Sequence, residues 1–266
     1  IIMKKKLLIT GGNGFLGSNL ALKLKKKFSI VICSRNNKLN KEAADRIGCD
    51  FAPLDVSNIE SVRDIVNLFK PHIIIHAAAT KFVDLSEKYP FECIDINIIG
   101  SSNIARVAIE NNVSQVIGIS TDKSAPPVGN LYGLSKASME RLFCSLNSKK
   151  TKFSCVRFGN IAWSTGSVFP IWKKMMKEKG VIETTGYEMR RFFFSIKEAT
   201  NLVITCLENS KIVEGKVLSQ KIKSAKIGDI LKIWSDEFNV NWKKINSRKG
   251  DKIEEFLIGD NEVIST

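Results

Sequence analysis

A tyrosine and a lysine near the middle of the chain, Tyr132 and Lys136, have the spacing that places two side chains together on a helix. Residues four positions apart lie on the same face of an α-helix. We therefore expect the Lys136 ammonium to lie beside the Tyr132 phenol and to lower the pKa of that phenol. Such a phenol is suited to remove the proton from a substrate hydroxyl.

Three polar residues, Thr121, Asp122 and Lys123, follow a short apolar run and precede the tyrosine. The Thr121 hydroxyl is suited to orient a reacting hydroxyl. An acid and an amine directly after it indicate an elimination: Asp122 protonates a leaving hydroxyl, and a desolvated, neutral Lys123 takes a proton from carbon. The alternative is an ordinary turn ahead of Pro126-Pro127 with a surface lysine.

Glycines near the N-terminus, in the sequence TGGNGFLG of residues 10–17, lie between an apolar run and a stretch with helical spacing. Such a loop turns sharply and approaches a pyrophosphate, which then lies at the positive end of the helix dipole. A plain turn is the alternative. The sequence favours a dinucleotide site, and its predicted contacts in this loop are Gly11, Gly14, Phe15, Leu16 and Gly17.

The second predicted strand ends in Ser34, Arg35 and Asn36 and has no acidic residue there. In NAD sites an acidic residue at this place accepts hydrogen bonds from the ribose 2′-hydroxyl. Arg35 is suited to pair with a 2′-phosphate, so we expect NADP rather than NAD; a solvated arginine is the alternative. Further cofactor contacts are expected from Asp55, Val56, Ala77, Ala78, Ala79, Tyr132 and Lys136.

Strand-like and helix-like segments alternate through the first two thirds of the chain. Predicted strands are 5–10, 29–33, 72–77, 115–120 and 153–158, and predicted helices are 14–26, 57–69, 86–111 and 130–147. Ser57 and Glu60 have capping-box spacing. The alternation predicts an α/β fold with a Rossmann-like, doubly wound parallel sheet. We place an NADP-binding domain at 1–160 and a smaller, interwoven substrate lobe at 161–266.

Composition narrows the classes of protein. The 266 residues carry 41 Lys and Arg against 27 Asp and Glu, a formal net charge of +14. These basic residues are scattered, so a solvated surface and a phosphate-bearing ligand explain the charge better than a nucleic-acid partner. Six scattered cysteines and two histidines argue against a disulfide framework and a metal site, and favour a reduced, cytoplasmic protein. Because no apolar run reaches ~18 residues, we expect no membrane insertion.

The glycine loop, the Ser120-Thr121 pair and the Tyr-x-x-x-Lys motif together resemble the extended short-chain dehydrogenase/reductase superfamily. Within it, STDKSAPPVGNLYGLSK (120–136) is similar to the signature of the UDP-N-acetylglucosamine 4,6-dehydratases. These include the inverting, 5-epimerising enzymes of pseudaminic acid and capsule synthesis. Four more stretches carry the resemblance over nearly the full chain: HAAATKFVDLSEKYPFECIDINIIGSSN (76–103), VRFGNIAWSTGSVFPIWKK (156–174), MRRFFFS (189–195) and RKGDKIEE (248–255).

The resemblance implies an NADP-dependent lyase that makes sugars for bacterial surface glycans. Its reaction on UDP-N-acetylglucosamine would be oxidation at carbon 4, loss of water across carbons 5 and 6 and hydride return to carbon 6, with or without epimerisation at carbon 5. Lys81 would lie in the active-site loop, and the guanidinium of Arg248 would neutralise the diphosphate. Asn160, Ser167, Val168 and Arg191 would line the UDP-sugar site. The resemblance also implies a homo-oligomer.

The chain departs from the family pattern at three places. Gly186 stands where the family usually has an acidic residue, Glu188 where it has a basic one, and Glu254 where it often has a histidine. The stretch 181–188 therefore leaves sugar preference and oligomer contacts open. The family's membrane-bound branch carries an N-terminal transmembrane region that this sequence lacks, so the soluble branch is the expected one.

Two other functions remain as alternatives. A UDP-sugar 4-epimerase or reductase of the same superfamily does not need the elimination acid that Asp122 offers. A non-catalytic dinucleotide-binding or RNA-binding protein on the same fold does not need Tyr132 and Lys136. The motifs therefore favour the dehydratase.

Overall fold

The computed structural model describes residues 3–247 and 249–265. Its strands are β1 (Lys6–Thr10), β2 (Ser29–Ser34), β3 (Asp50–Pro53), β4 (Ile73–His76), β5 (Gln115–Thr121), β6 (Lys152–Phe158), β7 (Asn160–Ile161), β8 (Val181–Thr184), β9 (Arg190–Phe194), β10 (Val217–Leu218), β11 (Ser224–Lys226) and β12 (Asn241–Lys244).

Its helices are α1 (Phe15–Leu24), α2 (Asn37–Ile47), α3 (Ile59–Phe69), α4 (Val83–Lys88), α5 (Pro90–Cys93), α6 (Gly100–Glu110), α7 (Leu131–Leu146), α8 (Val168–Lys179), α9 (Ile196–Glu208), α10 (Ser210–Val213) and α11 (Ile227–Phe238). A π-helical segment spans Ile94–Ile99, and 3₁₀ turns span Asp122–Ser124 and Asp260–Ser265. None of the described helices is both long and apolar enough to cross a membrane.

Seven strands form one parallel sheet in the order β3-β2-β1-β4-β5-β6-β10. The first six follow the order of a doubly wound fold, in which ligands bind at the carboxyl ends of the strands. The inner strands are buried along almost their whole length because helices cover both faces of the sheet. The predicted fold class is therefore confirmed.

Two apolar layers hold the helices against this sheet. One contains Leu20 of α1, Ala43 of α2 and Leu202 of α9. The other contains Val62 of α3 and Phe143 of α7. Since α9 and β10 follow residue 160, both parts of the chain contribute to the same core and sheet. The division into domains at 1–160 and 161–266 stays a prediction.

The C-terminal part adds two smaller sheets, one with β7, β9 and β11 and one with β8 and β12. Helices α8 and α11 pack beside them around Trp172, Ile182 and Leu231. This third apolar cluster lies beyond the first two thirds of the chain, in which the predicted strands and helices alternate.

Local chemistry moves two of the predicted helix boundaries. Helix α3 is capped by Asn58, whose Oδ1 accepts from the backbone N–H groups of Glu60 (3.0 Å) and Ser61 (3.3 Å). The expected cap, Ser57, instead donates to Asp55 at 2.7 Å. The helix predicted over 86–111 starts earlier, at Val83, and is interrupted once, at Tyr89; from Pro90 to Glu110 it continues without a break through α5, the π-helical segment and α6. The break follows from Pro90, which disfavours helical geometry in the residue before it.

Candidate active site

The carboxyl ends of the parallel strands open into a cleft of about 450 Å³. The glycine loop after β1, the ends of β2, β4 and β5 and the first turns of α7 form its walls. The predicted site residues that line it are Gly11, Gly14, Phe15, Leu16, Gly17, Ser34, Arg35, Asp55, Val56, Ala77, Ala78, Ala79, Lys81, Thr121, Lys123, Tyr132, Lys136, Asn160 and Ser167. The sheet edge thus brings these distant segments together.

Other predicted residues have different places. Asn36 caps α2 by accepting from Leu39 N–H at 3.1 Å. Val168 is the first residue of α8 and packs against the third apolar cluster. Arg248, expected at the diphosphate, lies outside the described residues, and its assignment stays a prediction.

The glycine loop is shaped by close backbone packing at Gly11 and Gly17 and by a single tight contact at Gly14. Gly11 has φ +66°, and a Cβ there would lie 2.9 Å from the Ala77 backbone. A Cβ on Gly17 would lie 2.5 Å from the Gly11 carbonyl oxygen. A Cβ on Gly14, the N-cap of α1, would meet within 4 Å only that same oxygen, at 3.1 Å. The first N–H groups of α1 therefore face a cradle suited to an anion.

The turn after β5 holds an acid and an amine in contact. The Thr121 hydroxyl donates to Asp122 Oδ1 at 3.0 Å, and Lys123 Nζ lies 3.0 Å from the same oxygen. Asp122 is fully buried, and its Oδ2 has no hydrogen-bond partner within the described part of the chain. The Lys123 side chain is 14% exposed and reaches the cleft. The two predicted residues are therefore in contact at the cleft wall, where Lys123 lines the cleft and Asp122 is buried next to it.

Helix α7 packs tightly against this turn. Asn130 caps the helix by accepting from Gly133 N–H at 2.7 Å. A Cβ at Gly133 would clash with the Lys123 carbonyl group, so glycine allows the close approach. This approach places Tyr132 beside the turn.

The Tyr132 phenol does not have the lowered pKa that we expected. Burial raises its pKa first of all, the Asp122 carboxyl raises it further, and a hydrogen bond with Thr121 acts in the opposite direction. The predicted lowering by Lys136 is therefore wrong for the protein as described. The raised pKa keeps the Tyr132 phenol protonated at neutral pH in the ligand-free protein.

Lys136 and His76 lie beneath the cleft. Lys136 is 2% exposed, its Nζ lies 3.6 Å from Met139 Sδ, and burial lowers its pKa to about 8. His76 bonds Thr10 at 2.8 Å and Ser101 at 3.1 Å. Its pKa is lowered to about 3 by burial and, second, by the Lys136 charge. His76 is thus a neutral, hydrogen-bonded core residue.

Lys136→Met is expected to stabilise the cofactor-free protein at neutral pH. The Lys136 pKa falls from 10.5 to about 8 on folding, so the cost of burying its charge is fully present below about pH 8 and fades towards about pH 10.5. Urea unfolding should give a gain of roughly 1–3 kcal/mol at about pH 7 and a much smaller gain at about pH 10. Equal gains at both pH values would contradict this.

Three residues assigned to the sugar side lie at the cleft with distinct contacts. Lys81 donates to the Thr165 carbonyl at 2.7 Å, and Asn160 donates to the Phe192 carbonyl at 3.5 Å. Ser167 precedes α8, and its buried hydroxyl has no hydrogen-bond partner in residues 3–247 and 249–265. A hydroxyl at a helix N-terminus in a cleft suits an anionic ligand.

Arg191 binds backbone carbonyls of the C-terminal segment, and its assignment to the UDP-sugar site stays a prediction. Its guanidinium is nearly buried and donates to the carbonyls of Lys252 (2.7 Å), Arg190 (2.8 Å) and Ile253 (3.3 Å). It does not line the cleft. Arg191 therefore holds the C-terminal segment against β9.

Glu255, on that segment, was not assigned from the sequence. Its side chain is 2% exposed, and its Oε1 lies 3.8 Å from Lys123 Nζ. Burial raises its pKa; Lys123 opposes this and Asp122 adds to it. A second glutamate in a polar run has no periodicity that would mark it, and only the return of the chain places it at the turn.

A buried ion pair fastens the same region from behind. Arg157 on β6 binds Glu140 on α7 at 2.6 Å and Glu262 near the C-terminus at 2.7 Å. The Ser124 hydroxyl, on the turn after β5, donates to Glu140 at 2.7 Å. The network ties the turn, α7, β6 and the C-terminal segment into one unit.

The family model described as "Polysaccharide biosynthesis protein" matches residues 7–266. The inverting UDP-N-acetylglucosamine 4,6-dehydratase of Campylobacter jejuni is 35% identical over 97% of this chain and 79% of that protein. The capsular polysaccharide biosynthesis protein CapD of Staphylococcus aureus is 35% identical over 98% of this chain and 46% of that protein, so the chain spans about half of its length. A Rickettsia bellii UDP-glucose 4-epimerase is 34% identical over 99% of this chain and 80% of that protein.

Solved structures agree with this placement. Pen from Bacillus thuringiensis has a TM-score of 0.91 and 28% identity, covering 99% of this chain and 85% of that chain. DesIV, a dTDP-glucose 4,6-dehydratase from Streptomyces venezuelae, has a TM-score of 0.82 over 97% of this chain and 89% of that chain. Its 17% identity shows a shared fold. The predicted resemblance is confirmed, and the chain belongs to the polysaccharide biosynthesis protein family that its residues 7–266 match.

Proposed function

We propose that the chain is a 4,6-dehydratase of UDP-N-acetylglucosamine that works with bound NADP and serves the synthesis of a bacterial surface glycan. The observation that carries the proposal is the buried Asp122-Lys123 pair beside Tyr132 at the cleft. An acid, an amine and a phenol at one wall match an oxidation followed by an elimination. The 35% identity to a Campylobacter dehydratase of that name supports it. A cytoplasmic location and the absence of a nucleic-acid partner stay predictions.

The strand ends fit a nicotinamide dinucleotide. The glycine loop at the cleft suits the pyrophosphate, and Ser34 and Arg35 line the part of the cleft at the end of β2. Tyr132 and Lys136, which line the cleft, are the residues proposed to hold the nicotinamide end of the dinucleotide. When bound, this group accepts a hydride from carbon 4 of the sugar and later returns it to carbon 6.

The side chains then divide the proton transfers. The Tyr132 phenolate oxygen removes the proton from the 4-hydroxyl, which the Thr121 hydroxyl orients. The resulting 4-ketone acidifies carbon 5, and the neutral Lys123 amine takes the carbon-5 proton. Asp122 gives its proton to the departing 6-hydroxyl, which leaves as water. Lys123 returns a proton to carbon 5, and the proton that Tyr132 took passes to Asp122, so all three groups regain their starting charge.

An NMR time course with UDP-N-acetylglucosamine in deuterated water tests the function. We expect a 4-keto-6-deoxy product with solvent deuterium at carbon 5. Once the added deuterium is subtracted, the mass of the product should be lower than that of the substrate by one water. The proposal fails if no such product forms. The rickettsial relatives support a second candidate, a UDP-sugar 4-epimerase, whose product would keep the mass of its substrate.

Arg35→Asp is expected to weaken NADP binding roughly tenfold or more and NAD binding far less, since a charge-assisted contact to a phosphate is lost. The Arg35 side chain is 62% exposed at the cleft, with Glu92 4.0 Å away. Calorimetric titration with both dinucleotides measures the two losses. Lys38→Asp, an equal charge change at an exposed residue outside the cleft, is the matched control. Equal losses for both dinucleotides would remove Arg35 from this role.

We further propose that the chain forms a homo-oligomer through an apolar patch on α4, α5, α7, the π-helical segment and the residue between α4 and α5. The patch comprises Leu85, Tyr89, Phe91, Ile99 and Leu134, each at least 43% exposed, and these helices pack together. Large apolar side chains that are exposed next to one another often mark a surface that binds another protein. Phe91→Asp should lower the sedimentation coefficient to that of a monomer. An unchanged coefficient, or a monomeric wild type, would contradict the interface.

A further inference from the structure

The C-terminal segment brings a carboxyl group to the back of the turn after β5 and holds it there on both sides. Ahead of Glu255, the Lys252 carbonyl accepts from Arg191, and the Lys252 amine binds the Pro127 carbonyl. Behind it, Leu257 is buried in the core of the main sheet. Contacts on both sides therefore fix the position of Glu255.

The charges around this carboxyl group are few. Lys123 Nζ lies 3.8 Å from Glu255 Oε1, and Asp122 shares the same amine from its own side at 3.0 Å. Arg191 and Lys252 are the more weakly acting cations that face Glu255. Glu255 Oε2 is buried and has no hydrogen-bond partner in the parts of the chain that the structure describes. A buried carboxylate needs a partner, and the Lys123 amine is the group positioned to serve.

We propose that Glu255 is a positioning residue that acts through Lys123, holding its amine at the cleft wall and stabilising the positive charge that forms on it. The role in turnover rests on the proposed dehydratase function. When Lys123 takes the carbon-5 proton, the amine passes from neutral to positive. A fixed carboxylate 3.8 Å away stabilises the charge that forms.

The coupling is testable without turnover. Trace acetylation of the cofactor-free protein with acetic anhydride, read by peptide mass spectrometry across pH, reports the free-amine fraction of Lys123. Glu255→Gln should move half-maximal labelling of Lys123 lower by about one pH unit or more, because a nearby negative charge is removed. Glu254→Gln is the matched control, since Glu254 is adjacent but exposed. Labelling of Glu255→Gln at the wild-type pH would overturn the proposal.

The pH profile of dehydration gives a second readout. In Glu255→Gln, the part of the pH profile where the dehydration rate rises should move to lower pH, because a weaker base loses its proton at lower pH. The plateau rate should fall about tenfold, because a weaker base is less reactive towards the carbon-5 proton. KM should be unchanged. A purely structural role would lower the rate without moving the rising part of the profile, and that result would overturn the proposal.

Glu255→Asp keeps the charge and covers the case in which Glu255→Gln does not fold. In this variant, the pH of half-maximal Lys123 labelling and the rising part of the dehydration pH profile should both stay close to those of wild type. A shift as large as that expected for the neutral variant would contradict a charge-based role. If wild type forms no dehydrated product, the function proposed above fails, and the labelling result still decides whether Glu255 and Lys123 are coupled.

Discussion

Lys123→Met is expected to stop the loss of water from UDP-N-acetylglucosamine while leaving the first oxidation in place. Lys123 reaches the cleft and touches Asp122, and methionine keeps the length of the side chain without the amine. Loss of a general base costs roughly 10²–10⁴-fold in rate. Formation of the 4-keto-6-deoxy product and entry of deuterium at carbon 5 should both fall by that factor.

The diagnostic sign in this variant is a trapped intermediate. Oxidation at carbon 4 depends on Tyr132 and Thr121, which Lys123→Met leaves unchanged, so the near-ultraviolet absorbance of reduced nicotinamide should accumulate after substrate is added. Lys150→Met, at an exposed site away from the cleft, controls for the loss of a positive charge. A fully active Lys123→Met enzyme would remove Lys123 from the role of base.

Tyr132→Phe is expected to stop the reaction one step earlier. Without the phenol oxygen the 4-hydroxyl keeps its proton, so neither reduced nicotinamide nor product should form, a loss of roughly 10²–10⁴-fold. Binding of the UDP-sugar, measured by calorimetry, should persist because the ring remains. Reduced nicotinamide in this variant at the wild-type rate would show that another group is the base.

The pH dependence of the oxidation follows from the surroundings of Tyr132. Burial and the Asp122 carboxyl raise the phenol pKa, so the phenolate becomes more abundant as pH rises, and the rate of the first oxidation should rise with it. Asp122→Asn removes one of the causes that raise this pKa and should move the rising part of the pH profile to lower pH. An unchanged profile would show that the Asp122 charge does not reach the phenol.

The sequence patterns that succeeded are local. Alternating apolar periods predicted the doubly wound sheet because strand and helix periodicity depend on near neighbours along the chain. The glycine spacing and the Tyr-x-x-x-Lys motif predicted residues that line one cleft for the same reason. Local rules also explain the break before Pro90 and the cap at Asn58. We nevertheless predicted an unbroken helix over 86–111 and a cap at Ser57, one residue too early.

By itself, then, the sequence determined the sheet, the cleft edge and the resemblance that the family match bears out. The tertiary structure alone decided what surrounds each reactive group. It placed Glu255 behind Lys123, turned Arg191 to the C-terminal backbone and raised the pKa of Tyr132. These outcomes depend on burial and on charges from distant parts of the chain, and neither is encoded in the spacing of neighbouring residues.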